Sequence, residues 1–183
     1  VAIGIILIGS FLMNSWGNDF PLWLHPDEIK KVIYISGDKK TDFYHPELIL
    51  KLGRLFADIA SASSQQDLVQ AGRTSTAFLG SMAVLFTFSL ASQFLSAPAA
   101  LLAASLTAVS PGIVIHSHYL KEDIALTCFT TASLLFVIFA AKESVGDSST
   151  KKIDYKIPVL WGLLTGFAIA SKYTAFILFP FYF

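Results

Sequence analysis

The sequence predicts an all-α protein: a polytopic bundle of transmembrane helices, with a long outer loop that carries amphipathic surface helices. Of the 183 residues, 54% are hydrophobic and 14% are charged, and the mean hydropathy is +0.62. This composition is typical of membrane proteins rather than soluble domains. Several apolar runs approach the ~20 residues that span a hydrocarbon core. One long polar stretch, residues 14–71, separates the first run from the others.

The apolar runs predict six membrane spans within a single transmembrane domain. The chain begins at Val1 without a Met and ends inside an apolar run. We therefore expect residues 1–183 to be the N-terminal part of a longer domain, with the first and last spans cut short. The predicted spans are residues 1–13, 77–95, 97–115, 124–141, 157–171 and 173–183.

Charge and cysteine content exclude some functions. The 13 basic residues balance the 13 acidic residues, which removes the electrostatic argument for a nucleic-acid partner. Cys128 is the single cysteine, so the chain forms no internal disulfide and its redox compartment cannot be inferred.

The outer loop, residues 14–71, contains two predicted surface helices. Pro26 suits the first turn of a short helix, which ends before a turn at Gly37. From Pro46 to Ala60, apolar residues recur at helical spacing, which predicts an amphipathic helix lying along the membrane surface.

The loop 142–156 has an excess of Lys, which favours the cytoplasmic side. Counting spans from there places residues 96–98 inside. Residues 14–71, residues 116–123 and Lys172 then share the outer or luminal face. The sequence predicts an integral, multi-pass membrane protein with its polar residues gathered on that face.

Asp27 and Glu28 are the candidate catalytic residues. Two adjacent carboxylates at a membrane surface can divide one task, with one acting as general base while the other orients it or holds a cation. Next to apolar surface, a raised carboxyl pKa is expected. The alternative is a pair of acids that stabilises a helix N-terminus.

Two cations are candidate ligands of a phosphate group. Arg73 enters the second span without an acid at helical spacing on its C-terminal side, and Lys172 lies at the outer end of the fifth span. Arg offers a bidentate fork and Lys a point charge. The alternative is that both side chains anchor their helices at the interface.

A second polar patch precedes the fourth span and contains His118 and Asp123. Its histidines alternate and lack the i, i+4 spacing of a helical zinc pair. Asp123 also suits the first turn of a helix. His45 begins the amphipathic surface helix, where a lone histidine is more often structural than a ligand.

Six motifs, in this order, resemble the polytopic glycosyltransferases of the GT-C class, specifically the protein O-mannosyltransferase and aminoarabinose transferase branch. Where relatives have Pro-Pro in the second motif, this chain has Pro46-Glu47. The motifs are His25-Pro26-Asp27-Glu28, Phe43-Tyr44-His45-Pro46-Glu47-Leu48, Gly72-Arg73-Thr74-Ser75, Val109-Ser110-Pro111-Gly112, Ser117-His118-Tyr119 leading to Asp123, and Gly162 to Gly166 with Ser171-Lys172-Tyr173.

The resemblance implies transfer of a sugar from a polyprenyl or dolichyl phosphate carrier to a protein, lipid or glycan acceptor. The reaction runs at the outer face of a bacterial or archaeal plasma membrane, or in the endoplasmic reticulum lumen. Asp27 is the prospective general base, Glu28 is its neighbour, and the anomeric centre inverts. Some members of the family work without a metal and others bind a divalent cation. By resemblance, His45, His118 and Asp123 lie near the substrate or such a cation.

Two other functions remain open from the sequence. A transporter or channel segment would line a pathway with charged residues, and would place them near mid-membrane. In this chain the ionisable residues cluster at span ends instead, which favours the enzyme. A non-catalytic membrane scaffold that keeps the fold is the third possibility.

Overall fold

The computed structural model describes residues 1–41, 46–145 and 155–181, without the side chains of residues 143–145 and 178–181. The all-α prediction is confirmed, because the described residues form helices and no strand. Eight α-helices and two 3₁₀ segments, at Leu22–Leu24 and Tyr173–Phe181, make up these residues. The α-helices are α1 (Ala2–Ser15), α2 (Pro26–Ser36), α3 (Glu47–Ile59), α4 (Gln65–Ala91), α5 (Ala97–Ala108), α6 (Pro111–His118), α7 (Glu122–Val145) and α8 (Lys156–Ser171).

The two predicted surface helices are present. In α2, Pro26 occupies the first turn, and Gly37 ends the helix with a φ of 88°, a conformation that favours glycine. In α3, Ile49, Leu50 and Ala57 face the core. Both segments are therefore helical with one buried side, as predicted, and their location on the membrane surface stays a prediction.

The central helix, α4, begins at Gln65, whereas the sequence predicted a span from residue 77 and a loop that continued to residue 71. The reason is a capping box: the Ser64 side chain accepts from the Asp67 N–H, and the Asp67 carboxylate accepts from the Ser64 N–H. This cap starts a helix whose first turns are too polar for a hydropathy window to detect.

The predicted span 97–115 is a bent pair of helices. Helix α5 ends at Ala108, and α6 resumes at Pro111 with a 49° bend between the two. Pro111 lacks the N–H that would continue α5 and suits the first turn of a new helix. The predicted sixth span, 173–183, is a 3₁₀ segment over Tyr173–Phe181.

Two of the described helices, Gln65–Ala91 and Glu122–Lys142, are long and apolar enough to cross a membrane. If the bent pair of α5 and α6 counts as one span, the number of candidate spans is three. Ala2–Ser15 and Lys156–Ser171 are shorter apolar helices. The count of six spans stays a prediction.

Helix α4 is the hub of the bundle and packs against α1, α3, α5, α6 and α7. Gly72, Thr76 and Gly80 follow at intervals of four along one face of α4. Gly72 contacts Leu120 in the junction after α6, whereas Thr76 and Gly80 contact Ser117 of α6. The Thr76 hydroxyl donates to the Ser117 carbonyl at 3.0 Å. A Cβ on Gly80 would lie 2.2 Å from Ser117 Oγ. Small residues thus let α6 approach the α4 backbone, as at other membrane helix contacts.

The bundle has two chemically different ends. At one end, which we call the polar end, α2, the α6–α7 junction, the start of α7 and the end of α8 meet through charged side chains. At the other end of α4 and α7, Lys142 Nζ donates to Gln93 Oε1 at 3.0 Å. Five of the predicted site residues lie at the polar end: Asp27, Glu28, Arg73, Asp123 and Lys172.

We expect Gly80→Ala to lower stability by about 1–3 kcal/mol, because the added methyl group overpacks the contact between α4 and α6. Thermal unfolding in detergent measures the change. Gly166→Ala, on the exposed side of α8 with no atom within 4 Å of the added Cβ, is the matched control and should keep or raise the Tm. Equal Tm values for the two variants would contradict the close contact.

Candidate active site

Asp27 and Glu28 are adjacent in sequence but lie in different environments. The Glu28 side chain is fully buried, whereas half of the Asp27 side chain is exposed. One residue along a helix is a rotation of about 100°. Glu28 therefore faces the core of the bundle, and Asp27 faces out of it at the polar end.

Glu28 forms a buried, bidentate ion pair with Arg73 of α4. Arg73 Nη2 donates to Glu28 Oε2 at 2.6 Å, and Arg73 Nε donates to Glu28 Oε1 at 3.1 Å. Both side chains are inaccessible to solvent. Because two parallel hydrogen bonds fix the relative orientation of the two groups, this pair joins α2 to α4 in a defined geometry.

The rest of the Arg73 guanidinium is also occupied. Nη1 donates to the carbonyls of Asn18, at 2.9 Å, and Phe20, at 2.5 Å. The Phe20 ring lies 3.4 Å from the guanidinium carbon, within cation–π range. The prediction that Arg73 binds a donor phosphate does not fit this geometry, because the side chain is enclosed and paired. Arg73 organises the loop between α1 and α2 instead.

The peptide of Leu120, in the α6–α7 junction, is held from both sides by α2. Its N–H donates to Glu28 Oε1 at 2.7 Å, and its carbonyl accepts from Lys31 Nζ at 2.8 Å. Lys31 also pairs with Glu122 Oε2 at 2.5 Å. The junction is therefore fixed to α2, and so is the position of the residues that follow it.

Asp27 pairs with Lys121 of the same junction at 3.3 Å. Burial opposes ionisation of Asp27, but the hydrogen bond and charge of Lys121, with His25 and Lys31, lower the pKa of Asp27 below its ordinary value. The expected raised pKa is wrong for this carboxylate, because the stabilising interactions with Lys121 outweigh the effect of burial.

His25 caps α2 and connects it to the second polar patch. Its Nδ1 accepts from the Asp27 N–H at 3.3 Å, and its ring lies 4.8 Å from that of Tyr119. Burial, together with the charge of Lys121, lowers the pKa of His25. A neutral imidazole with its proton on Nε2 fits this arrangement.

Asp123 and Lys172 form the second ion pair at the rim of the polar end. Lys172 Nζ lies 2.5 Å from Asp123 Oδ1, and about a third of each side chain is exposed. Among the residues that the structure describes, Arg73 and Lys172 do not meet, because Arg73 is buried and paired with Glu28 while Lys172 contacts Asp123 at the rim.

Of the two histidines predicted near the site, the structure describes only His118. One His118 ring nitrogen lies 3.0 Å from the Trp16 carbonyl and the other 2.8 Å from the Val114 carbonyl, so His118 joins α6 to the end of α1. His45 lies outside the described residues. Within residues 1–41, 46–145 and 155–181, no three His, Cys, Asp or Glu side chains are grouped to hold a metal ion.

A family model for dolichyl-phosphate-mannose-protein mannosyltransferases matches residues 45–183. The chain belongs to this family. The resemblance inferred from the six motifs is thereby confirmed, and the assignment as a membrane glycosyltransferase is favoured over a transporter or channel segment. No curated protein and no solved structure matches the chain. The match begins after Asp27 and Glu28, so it does not cover these two residues, and their catalytic roles stay a prediction.

Sequence reasoning did not assign Lys31 or the Leu120 peptide to the polar end, and it gave Lys121 no role beyond membership of the second polar patch. One signal was present in the sequence. Glu28, Lys31, Val32 and Ile35 are the buried residues of α2, and they follow the i, i+3, i+4, i+7 spacing of a core-facing side. Two charged residues in an otherwise apolar core face indicate buried ion pairs with other elements.

We expect Arg73→Ala to destabilise the protein by about 3–5 kcal/mol, because Glu28 is left as an uncompensated buried charge. Unfolding in detergent, followed by Tm and denaturant midpoint, measures the loss. Lys51→Ala removes a largely exposed pair with Glu47 and should leave the Tm and the denaturant midpoint close to those of the wild type.

A double variant separates charge from packing. Glu28→Gln combined with Arg73→Met removes both charges and keeps an oxygen for the Leu120 N–H, so it should be more stable than Arg73→Ala. A double variant no more stable than the single one would show that the two charges are not the determinant.

Proposed function

We propose that this chain carries the catalytic carboxylate of a membrane glycosyltransferase that uses a polyprenyl or dolichyl phosphate-linked sugar. The acceptor is a hydroxyl of a protein, lipid or glycan, and the reaction takes place at the outer or luminal face. The proposal rests on family membership and on the arrangement of charged residues at the polar end.

The observation that carries the proposal is the division of roles between Asp27 and Glu28. Glu28 is enclosed by Arg73 and the Leu120 N–H, so it positions the backbone of α2 and contacts no substrate. Asp27 projects half exposed from the same turn. A rigid frame that presents one accessible carboxylate is the arrangement that a general base requires.

The proposed reaction is a single displacement. Asp27 accepts the proton of the acceptor hydroxyl while the hydroxyl oxygen attacks the anomeric carbon from the face opposite the phosphate. The bond between the anomeric carbon and the phosphate oxygen breaks, and the phosphate keeps the electron pair. The anomeric configuration inverts.

Of the two cations predicted to bind the phosphate of the sugar donor, Lys172 is the one that remains suitable. Its side chain is partly exposed at the rim, so a phosphate group can reach it without unfolding of the bundle. Asp123 pairs with Lys172 and, with His118, belongs to the surroundings of the substrate in this proposal. A divalent cation near the leaving phosphate stays part of the hypothesis for the family.

The proposed topology places the polar end on the outer or luminal face and the Gln93–Lys142 contact on the cytoplasmic side. The separation of the two ends along α4 and α7 supports it, as does the excess of Lys in the loop after Lys142. Glycosyl transfer from a membrane-embedded carrier requires an active site at one such face.

We expect Asp27→Asn to reduce turnover by several hundredfold or more without loss of expression, within the ~10²–10⁴ range for removal of a general base. Transfer of sugar from a polyprenyl phosphate donor, measured with the complete protein, provides the test. Asp58→Asn, at an exposed ion pair on α3, is the control and should retain full activity. An active Asp27→Asn variant would reduce the acidic pair to a helix cap.

We expect single cysteines at Ser36 and Ser96 to lie on opposite sides of the membrane. In a Cys128→Ser background, an impermeant thiol reagent applied to intact cells should label position 36 and leave position 96 unlabelled. Both positions should react after permeabilisation. Labelling of position 96 alone, or of both positions equally, in intact cells would overturn the proposed topology.

A further inference from the structure

Four ion pairs with different geometries meet at the polar end. Arg73–Glu28 at 2.6 Å and Lys31–Glu122 at 2.5 Å involve cations that are shielded from solvent. Lys172–Asp123 at 2.5 Å and Lys121–Asp27 at 3.3 Å lie at the rim. The pair of Lys121 and Asp27 is therefore the longest of the four, and it includes the candidate base.

We propose that Lys121 binds the phosphate of the lipid-linked donor, and that it exchanges its contact with Asp27 for the phosphate when the donor binds. This inference rests on the proposed function. It assigns to Lys121 the phosphate-binding role that the sequence predicted for Arg73.

The backbone at Lys121 is fixed while its side chain is accessible. Leu120, the preceding residue, is held by Glu28 and Lys31, and the Lys121 N–H donates to the Tyr119 carbonyl at 2.7 Å. A quarter of the Lys121 side chain is exposed. A long, flexible side chain on a fixed backbone can change partner at low cost.

The position of Lys121 would let it bind one phosphate group together with Lys172, the other lysine at the rim. Lys172 contacts Asp123 at 2.5 Å, and Lys121, two residues before Asp123 in the chain, contacts Asp27 at 3.3 Å, so both ammonium groups lie at the rim of the polar end. A phosphate diester brought to this rim would meet two cations that are only partly desolvated. Arg73 and Lys31 cannot turn toward the phosphate, because they already donate hydrogen bonds inside the bundle. Arg73 donates to Glu28 and the Asn18 carbonyl, and Lys31 donates to the Leu120 carbonyl.

Charge moves during the proposed reaction in a direction that favours this exchange. Asp27 begins as a carboxylate and becomes neutral when it accepts the hydroxyl proton. The phosphate begins with one negative charge and gains a second when its bond to the anomeric carbon breaks. A cation that leaves Asp27 for the phosphate makes Asp27 the stronger base and stabilises the departing phosphate.

The test compares Lys121→Gln with Lys121→Arg and with a control, Lys30→Gln, which removes an exposed lysine of α2. The probe is farnesyl phosphate, titrated against the complete protein in detergent. We expect Lys121→Gln to weaken binding about tenfold or more, since a hydrogen bond to a charged group is lost. Lys121→Arg keeps the charge and should bind within about threefold of the wild type, as should Lys30→Gln.

The pH dependence of kcat/KM is a second readout that a purely structural role would not produce. Lys121 contacts the Asp27 carboxylate, and the charges of Lys121, His25 and Lys31 favour its ionised form. Without the Lys121 charge, the pKa of Asp27 rises, so the acid limb of the profile moves to higher pH in Lys121→Gln. Lys121→Arg should leave the limb in place.

The outcomes distinguish this inference from the proposed function. Wild-type binding and transfer, together with unchanged affinity and an unchanged acid limb in Lys121→Gln, would overturn the role of Lys121 and leave the glycosyltransferase assignment intact. A wild-type protein that neither binds farnesyl phosphate nor transfers sugar would overturn both. Weaker binding in Lys30→Gln to the same extent would reduce the effect to net surface charge and would also overturn the role of Lys121.

Discussion

The buried ion pair between Glu28 and Arg73 is the interaction on which the polar end depends. Desolvation of two charges is costly, and attraction repays it only when further hydrogen bonds satisfy both groups. Here Arg73 also donates to two carbonyls of the loop after α1, and Glu28 also accepts from the Leu120 N–H. One pair thus joins a surface helix, a central helix and a helix junction. Its value lies in fixed geometry more than in stability.

Local features of the structure were predictable from the sequence because local physics determines them. Pro26 and Gly37 mark the ends of α2, and apolar spacing reveals the buried side of α3. The start of α4 was not predictable from hydropathy, since its first turns are polar and depend on the Ser64–Asp67 cap. Family membership confirms the class of fold and enzyme that the ordered motifs indicated.

The partners of the charged residues could not be predicted, because they lie far apart in the chain. Arg73 lacks an acid at helical spacing on its C-terminal side, and its partner Glu28 lies on another helix. The adjacency of Asp27 and Glu28 suggested a shared task. Helical geometry separates them, because the side of α2 that buries Glu28 also buries Lys31 and excludes Asp27. A lowered pKa of Asp27 follows from Lys121, which sequence reasoning had not assigned to the site.

The arrangement of charges explains how a membrane protein can keep an accessible carboxylate without a large cost in stability. Ionisable groups are tolerated most easily at the ends of spans, and there this fold pairs the enclosed charges within a neutral frame. Small residues of α4 let α6 approach closely enough for its following junction to reach α2. Within that frame, Asp27 and Lys121 are only partly enclosed. In the proposed exchange an arriving anion alters this contact at the rim, where Lys172 and Asp123 are also partly exposed, while Glu28 and Arg73 keep the backbone in place.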